Sequence, residues 1–416
     1  MNNIITLKNG VRIAYEKMPA FRSISFGIWI KIGSRNEDEK NNGISHFTEH
    51  MLFKGTKNKT AKEIAHITDA IGGTVNAFTS KECTCYYTMT LDEQFHTALD
   101  LLQDMFFNSL FSDEEIEKER NVILEEIDMY KDDPSNYVSD QLKKEIFNNK
   151  GFGLPILGTK ETLETFNHET FVDFTKKYYH PKNTILTIAG NITDDTIKLL
   201  EETFGSWEVK EELILPIEKS IYTQKNIFTK RDIEQLHMEM TFLGVEDGNK
   251  KRHALEVFNG IFGGGMSSLL FQKIREEQGL AYSVYSYRTS YDDIGIFSIY
   301  AGLNVNQLSK TVNLIYDIID NLRVDKISQD ILDITKIRIK SNVVLGLESS
   351  ANHMYKMGNA LIKYGKIIPI DESLKNIENV SLDDIYNVSG EVLNFDKMSI
   401  SIVSPLDNID FEELKK

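Results

Sequence analysis

The chain is poor in cysteine: 416 residues hold two, Cys83 and Cys85, neighbours too close to bridge readily and spaced like no common zinc site. A disulfide framework is thereby excluded, and the pair reads as packed thiols on one side of a strand in a reducing compartment. Long apolar runs are missing too. Nothing approaches the roughly 20 residues needed to span a bilayer, and the first ten residues read as a strand entering a turn, not as an export signal. No membrane partner and a cytoplasmic location are therefore expected. Net positive charge is absent as well: the net charge is −16, which argues against a nucleic-acid partner. Most of that charge is assigned to solvated helix faces that aid solubility.

What the chain has is an ordinary globular balance, 41 % hydrophobic and 26 % charged, with length for two or three domains. Strand patterns at 3–8, 11–17 and 23–31 open it, the first two joined by Lys8-Asn9-Gly10, a hairpin signal. Thr60-Ala-Lys-Glu63 is a capping box for a helix stopping at Gly72-Gly73. Residues 74–79 and 83–91 alternate as an antiparallel pair, and helical patterns follow near 92–108, 113–131, 137–148, 168–179 and 193–205, with a strand at 183–190. The stretch 206–222, with Pro216, reads as a linker. Beyond it the plan repeats: a strand near 234–243, helices at 249–262 and 267–278 around Gly263-Gly-Gly265, strands at 280–289 and 294–303, further helices to about 391, and a last strand at 397–404. Strands and long helices do not strictly alternate, so the expected fold is α+β, two homologous domains, each an antiparallel sheet packed with long helices. The expected division is 1–212, a linker at 213–222, and 223–416.

The decisive motif is His46-Phe47-Thr48-Glu49-His50. On a helix, residues four apart share a face with Cβ atoms roughly 5–6 Å apart, so both imidazoles can reach one zinc ion at about 2.0–2.1 Å. Glu49 borders the same face and is the natural general base for a water held there. The corresponding helix of the second half, Arg252 to Gly260, carries one histidine and no such motif. A hydrolytic zinc usually takes a third protein ligand, here a carboxylate from elsewhere. The helix at 113–131 offers Glu119 and Glu126, two turns apart on one face, with Val122 and Ile123 between them to press the helix onto the core. Glu125 competes with Glu126 but points about 100° away from the Glu119 direction.

On these residues the chain resembles the M16 family, the insulinase and mitochondrial-processing-peptidase group, whose H-x-x-E-H order is the inverzincin signature. The family places a ligand glutamate well downstream of the pentad and a supporting glutamate seven residues before it. Glu126 and Glu119 fill those two places. The resemblance extends to an Arg and a Tyr seven apart after a glycine-rich loop, matched by Arg275 and Tyr282, which would hold the substrate and stabilise a developing oxyanion. It also covers the strand Thr74-Val-Asn-Ala-Phe-Thr79, where Asn76 and Ala77 are the implied contacts for a peptide added in extended form.

The resemblance implies a zinc metalloendopeptidase. His46, His50 and Glu126 would bind Zn2+, Glu49 would be the base and Glu119 the support. Its substrates would be unfolded peptides or presequence-like segments. Family members of this length resemble half of a four-domain clamshell, so a homodimer with a closed chamber is implied, Arg275 and Tyr282 of one subunit facing the zinc of the other. Two alternatives stay open: a non-catalytic scaffold or assembly subunit of the same family, and a metal-dependent hydrolase of non-peptide substrates. A two-histidine, one-carboxylate set also accepts iron or manganese.

Overall fold

The computed structural model describes residues 3–208, 213–215, 218–322, 324 and 327–414. It divides into two compact units, neither continuous in sequence: Met1–Met129, Lys150–Glu218 and Gly346–Ile367 form the first, and Tyr130–Asn149, Lys219–Leu345 and Ile368–Lys416 the second. Of the expected linker at 213–222, residues 216 and 217 lie outside the described residues, as does residue 212.

The first unit holds β1 (Asn3–Thr6), β2 (Arg12–Lys17), β3 (Ser23–Ile30), β4 (Thr74–Thr79), β5 (Thr84–Leu91) and β6 (Thr184–Gly190), in the sheet order β1-β2-β6-β3-β5-β4. With them come α1 (Ile44–Met51), α2 (Ala61–Ile71), α3 (Phe95–Asn108) and most of α4 (Asp113–Asp132). β3 shows why this sheet is buried on both faces. Ile24, Phe26, Ile28 and Ile30 enter the main core together with Phe47 of α1, while Trp29, at the opposite parity, joins a second cluster with Met354 and Met357. The latter two belong to α12 (Ser350–Tyr364). Glycine permits that approach: a Cβ on Gly358 would lie 2.1 Å from the Trp29 ring, and one on Gly27 would lie 2.8 Å from the Met354 sulfur.

Helices α5 (Pro134–Ile146), α6 (Lys160–Leu163), α7 (His168–Tyr178) and α8 (Asp194–Gly205) complete the first half of the chain, but α5 belongs to the second unit. That unit's sheet runs β7-β11-β8-β10-β9, from β7 (Asn226–Lys230), β8 (Leu236–Leu243), β9 (Ala281–Ser290), β10 (Gly295–Leu303) and β11 (Ser399–Ser404). α5 lies on β8 and β11, with Val138 against Val403 and Tyr300. The remaining helices are α9 (Arg252–Phe262), α10 (Leu308–Leu322), α11 (Gln329–Gly346), α12 (Ser350–Tyr364), α13 (Ile370–Glu378) and α14 (Leu382–Val392). Of these α12 returns to the first unit. Each unit thus takes one covering helix from the opposite half of the chain.

The α+β class is what the structure shows, but the sheets are mixed, not purely antiparallel. β2 pairs with β6 and β7 with β11 in parallel, and in each case a long stretch of three strands and several helices separates the two partners, room for the crossover that parallel pairing needs. Two further differences stand out. The strand β7 has no counterpart among the expected elements. The helix expected at 267–278 is wound as a π-turn over Phe271–Glu276, where the Glu277 N–H donates to the Gln272 carbonyl at 2.9 Å. Cys83 and Cys85 are buried free thiols, and burial raises both thiol pKa values.

Candidate metal centre

The centre is built on α1, and its first turn is unusually well held. Gly43 caps the helix with φ +96°, and a Cβ there would meet the Gly158 Cα at 2.7 Å, so both backbone and space require glycine. Beneath the helix start lies Glu37, a buried carboxylate that accepts from the Gly43 N–H at 2.7 Å, the Ser45 N–H at 2.8 Å and the Asn42 amide at 2.9 Å. Those bonds satisfy donors that a helix N-terminus leaves open. Ile44, Phe47 and Met51 then anchor the helix in the core, which turns His46 and His50 to the same side, ring centroids 4.5 Å apart.

Glu126 comes from α4, which Ile116, Ile123 and Ile127 seat in the core. Val122, expected to help, is 51 % exposed; one residue before Ile123, it lies about 100° around the helix from it. Oε2 of Glu126 sits 3.8 Å from Nε2 of His46 and 3.8 Å from Nε2 of His50. Its neighbour Glu125 is exposed. The three ligand atoms fall within 4.8 Å of one another. Ligands about 2.0–2.1 Å from a tetrahedral zinc would be roughly 3.4 Å apart, so the set fits the ion with small side-chain movements.

The protonation states fit as well. Burial, and then the neighbouring His50, push the His46 imidazole down to about 3, so it is neutral at physiological pH, the form that ligates. Its Nδ1 is buried without a hydrogen-bond partner among the described residues. Nδ1 of His50 lies 2.8 Å from Oε1 of Glu119. Burial alone would raise the Glu119 carboxyl, but the bonds from His50 and Lys54 outweigh it and hold it below the usual range. An ionised Glu119 can only accept, which puts the His50 proton on Nδ1 and leaves Nε2 as the ligand atom. The second oxygen of Glu119 pairs with the Lys54 ammonium at 2.7 Å.

Glu49 points to the β4 side, where its Oε2 accepts from the Thr79 hydroxyl at 2.5 Å. Desolvation raises its pKa, helped by the Glu126 charge and opposed by the Thr79 bond and His50, and the net upward direction suits a group taking and returning a proton. β4 is the outer strand of its sheet. Asn76 is exposed on it and Ala77 half-buried, and the Ala77 N–H donates to the Asn76 side-chain oxygen at 2.8 Å. In the second unit, Arg275 lies on the π-turn with its guanidinium 5.4 Å from the Tyr282 ring centroid, and Tyr282 is 75 % exposed.

Three residues of this centre were missed from the sequence. Lys54 stands four after His50, and Thr79 shares the strand parity of Ala77, so spacing could have suggested both. Glu37, one acid in an Asn36-Glu-Asp-Glu-Lys40 run, carries no local signal.

A family model described as insulinase, peptidase family M16, matches residues 12–160, and one described as the peptidase M16 inactive domain matches 165–339. The chain is 43 % identical over 404 residues to an uncharacterized zinc protease of Bacillus subtilis, covering 97 % of this chain and 98 % of that one. A Rickettsia felis protein of the same description is 37 % identical over 408 residues, covering 97 % and 98 %. Among solved structures, a Helicobacter pylori protease superposes with a TM-score of 0.92 at 23 % identity, covering 97 % of this chain and all of that one. Among the described residues no helix is long and apolar enough to cross a membrane.

Proposed function

The chain belongs to peptidase family M16, and from that premise we propose that it is a zinc metalloendopeptidase acting on unfolded peptides or presequence-like segments. The carrying observation is the convergence of His46, His50 and Glu126 beside a half-buried Glu49. Zinc held by those three residues would supply a Lewis acid for the scissile carbonyl and lower the pKa of water at the site. Glu49 takes the proton of the attacking water and passes it to the leaving amine, a shuttle suited to its raised pKa. Glu119 keeps the His50 ring and tautomer in place, and Lys54 keeps Glu119 ionised. The peptide adds to the open edge of β4 near Asn76 and Ala77, so main-chain bonds dominate and sequence tolerance follows.

Arg275 and Tyr282 are assigned to substrate holding and oxyanion stabilisation across a homodimer, each subunit presenting its pair to the other's centre. The exposure of Tyr282 supports this. The two free thiols support a cytoplasmic setting. The test is digestion of a peptide library by zinc-loaded protein, with Glu49→Gln as control. Wild type should cleave and lose activity to a chelator, while Glu49→Gln should retain zinc without cleaving. Undiminished turnover in Glu49→Gln would remove Glu49 from its role, and an inert wild type would favour a scaffold.

A further inference from the structure

We propose that Thr79 is a positioning residue for Glu49, so that the strand receiving the peptide also aligns the base. This rests on the peptidase reading above. Along β4 the side chains alternate: Val75 and Ala77 pack into the main core, whereas Phe78 joins the cluster beneath α12. Thr79 shares the parity of Val75 and Ala77, and α1 packs against this strand. Its hydroxyl therefore meets a side chain of the metal-binding helix rather than solvent. The 2.5 Å separation from Oε2 is in the range of a charge-assisted O–H to carboxylate bond. Among the described residues it is the one hydrogen bond that Glu49 makes through its carboxylate, so Oε1 remains for the proton in transit.

A glutamate side chain has three torsions, and burial alone does not select one of them. Threonine's β-branching restricts χ1, so the strand backbone sets the direction of its hydroxyl. Asn76 and Ala77, the contacts proposed for the peptide, stand three and two residues before Thr79 on this edge strand. A peptide paired along that edge would stiffen β4 and with it the Thr79 hydroxyl, tightening the aim of Glu49 as substrate arrives.

The experiment compares wild type, Thr79→Ser and Thr79→Val as zinc-loaded full chains. Thr79→Val keeps the shape and loses the hydroxyl; kcat should fall about 10- to 100-fold while KM stays within about twofold and zinc content is unchanged. Thr79→Ser keeps the donor and should return kcat to within about threefold of wild type. A Thr79→Val kcat equal to wild type, a loss confined to KM, or an equal loss in Thr79→Ser would each overturn the proposal. Crystal structures of the three proteins give a readout free of turnover: one Glu49 rotamer in wild type and Thr79→Ser, a displaced or split one in Thr79→Val. An unmoved Glu49 in Thr79→Val refutes the positioning role even if the wild-type chain proves inert, an outcome that by itself would sink only the peptidase reading.

Discussion

Replacing Glu119 by glutamine tests how the protein holds its metal, because the side chain is almost isosteric and the contacts are specific. In the wild type, Oε1 faces the His50 Nδ1 at 2.8 Å and Oε2 faces the Lys54 ammonium at 2.7 Å, and the side chain is only 6 % exposed. A glutamine has one acceptor and one donor end. With its oxygen toward His50, its NH2 opposes the Lys54 ammonium, donor against donor. With its oxygen toward Lys54, its NH2 opposes Nδ1 and draws the imidazole proton to Nε2, the atom required by the metal. Either arrangement forfeits one partner. Loss of such a supporting group typically weakens metal binding 10- to 100-fold, or about 1.4–2.7 kcal/mol. Competition against a chromophoric chelator would read this as a raised zinc Kd in Glu119→Gln, with Glu119→Ala at the upper end of the range. Thermal melts of the metal-free proteins separate site loss from unfolding. If both variants hold zinc within twofold of wild type while remaining folded, the support assigned to Glu119 is wrong.

Two further outcomes are expected. Mixing Glu49→Gln chains with Tyr282→Phe chains should recover activity above either parent, because one centre of the mixed dimer then has both an intact base and an intact phenol; no recovery in confirmed heterodimers argues against a shared centre. Asp104 offers a pH test outside the centre: burial alone would raise its carboxyl, but bonds from Thr56, Lys59, Asn58 and Asn108 outweigh it and hold the group at about 2 against 3.8. With the folded pKa depressed, its contribution of about 2 kcal/mol should be present above pH 4 and fade as pH falls toward 2. Urea unfolding of wild type and Asp104→Asn should therefore show a stability gap that narrows over that window, and a gap of constant size would contradict the assignment.

The legible part of this molecule was its local part. The hairpin at Gly10, the capping box at Thr60 and Glu63, and the strands β3 to β6 follow from patterns within a few residues, and the structure has them. The seven-residue spacing of Glu119 and Glu126 put both on one face of α4, yet it did not tell which would face the Nε2 atoms of the pair and which the Nδ1 of His50. The structure separates them: Glu126 reaches both Nε2 atoms, while Glu119 backs His50 and Lys54. The parallel pairs and the placing of α5 and α12 are not legible in the sequence because they join segments far apart in the chain. Periodicity carries no record of such partners.

By itself the amino-acid order determined that two imidazoles and a carboxylate share one helical face, since 3.6 residues per turn brings i, i+3 and i+4 to the same side of a helix. It also determined the α+β class, through the change of period along the chain. Only the tertiary structure decided that Glu37 would lie under the start of α1, that Lys54 would hold Glu119, and that Thr79 would reach Glu49. Those contacts depend on how buried faces pack, and packing is settled by the shape and volume of many distant side chains at once.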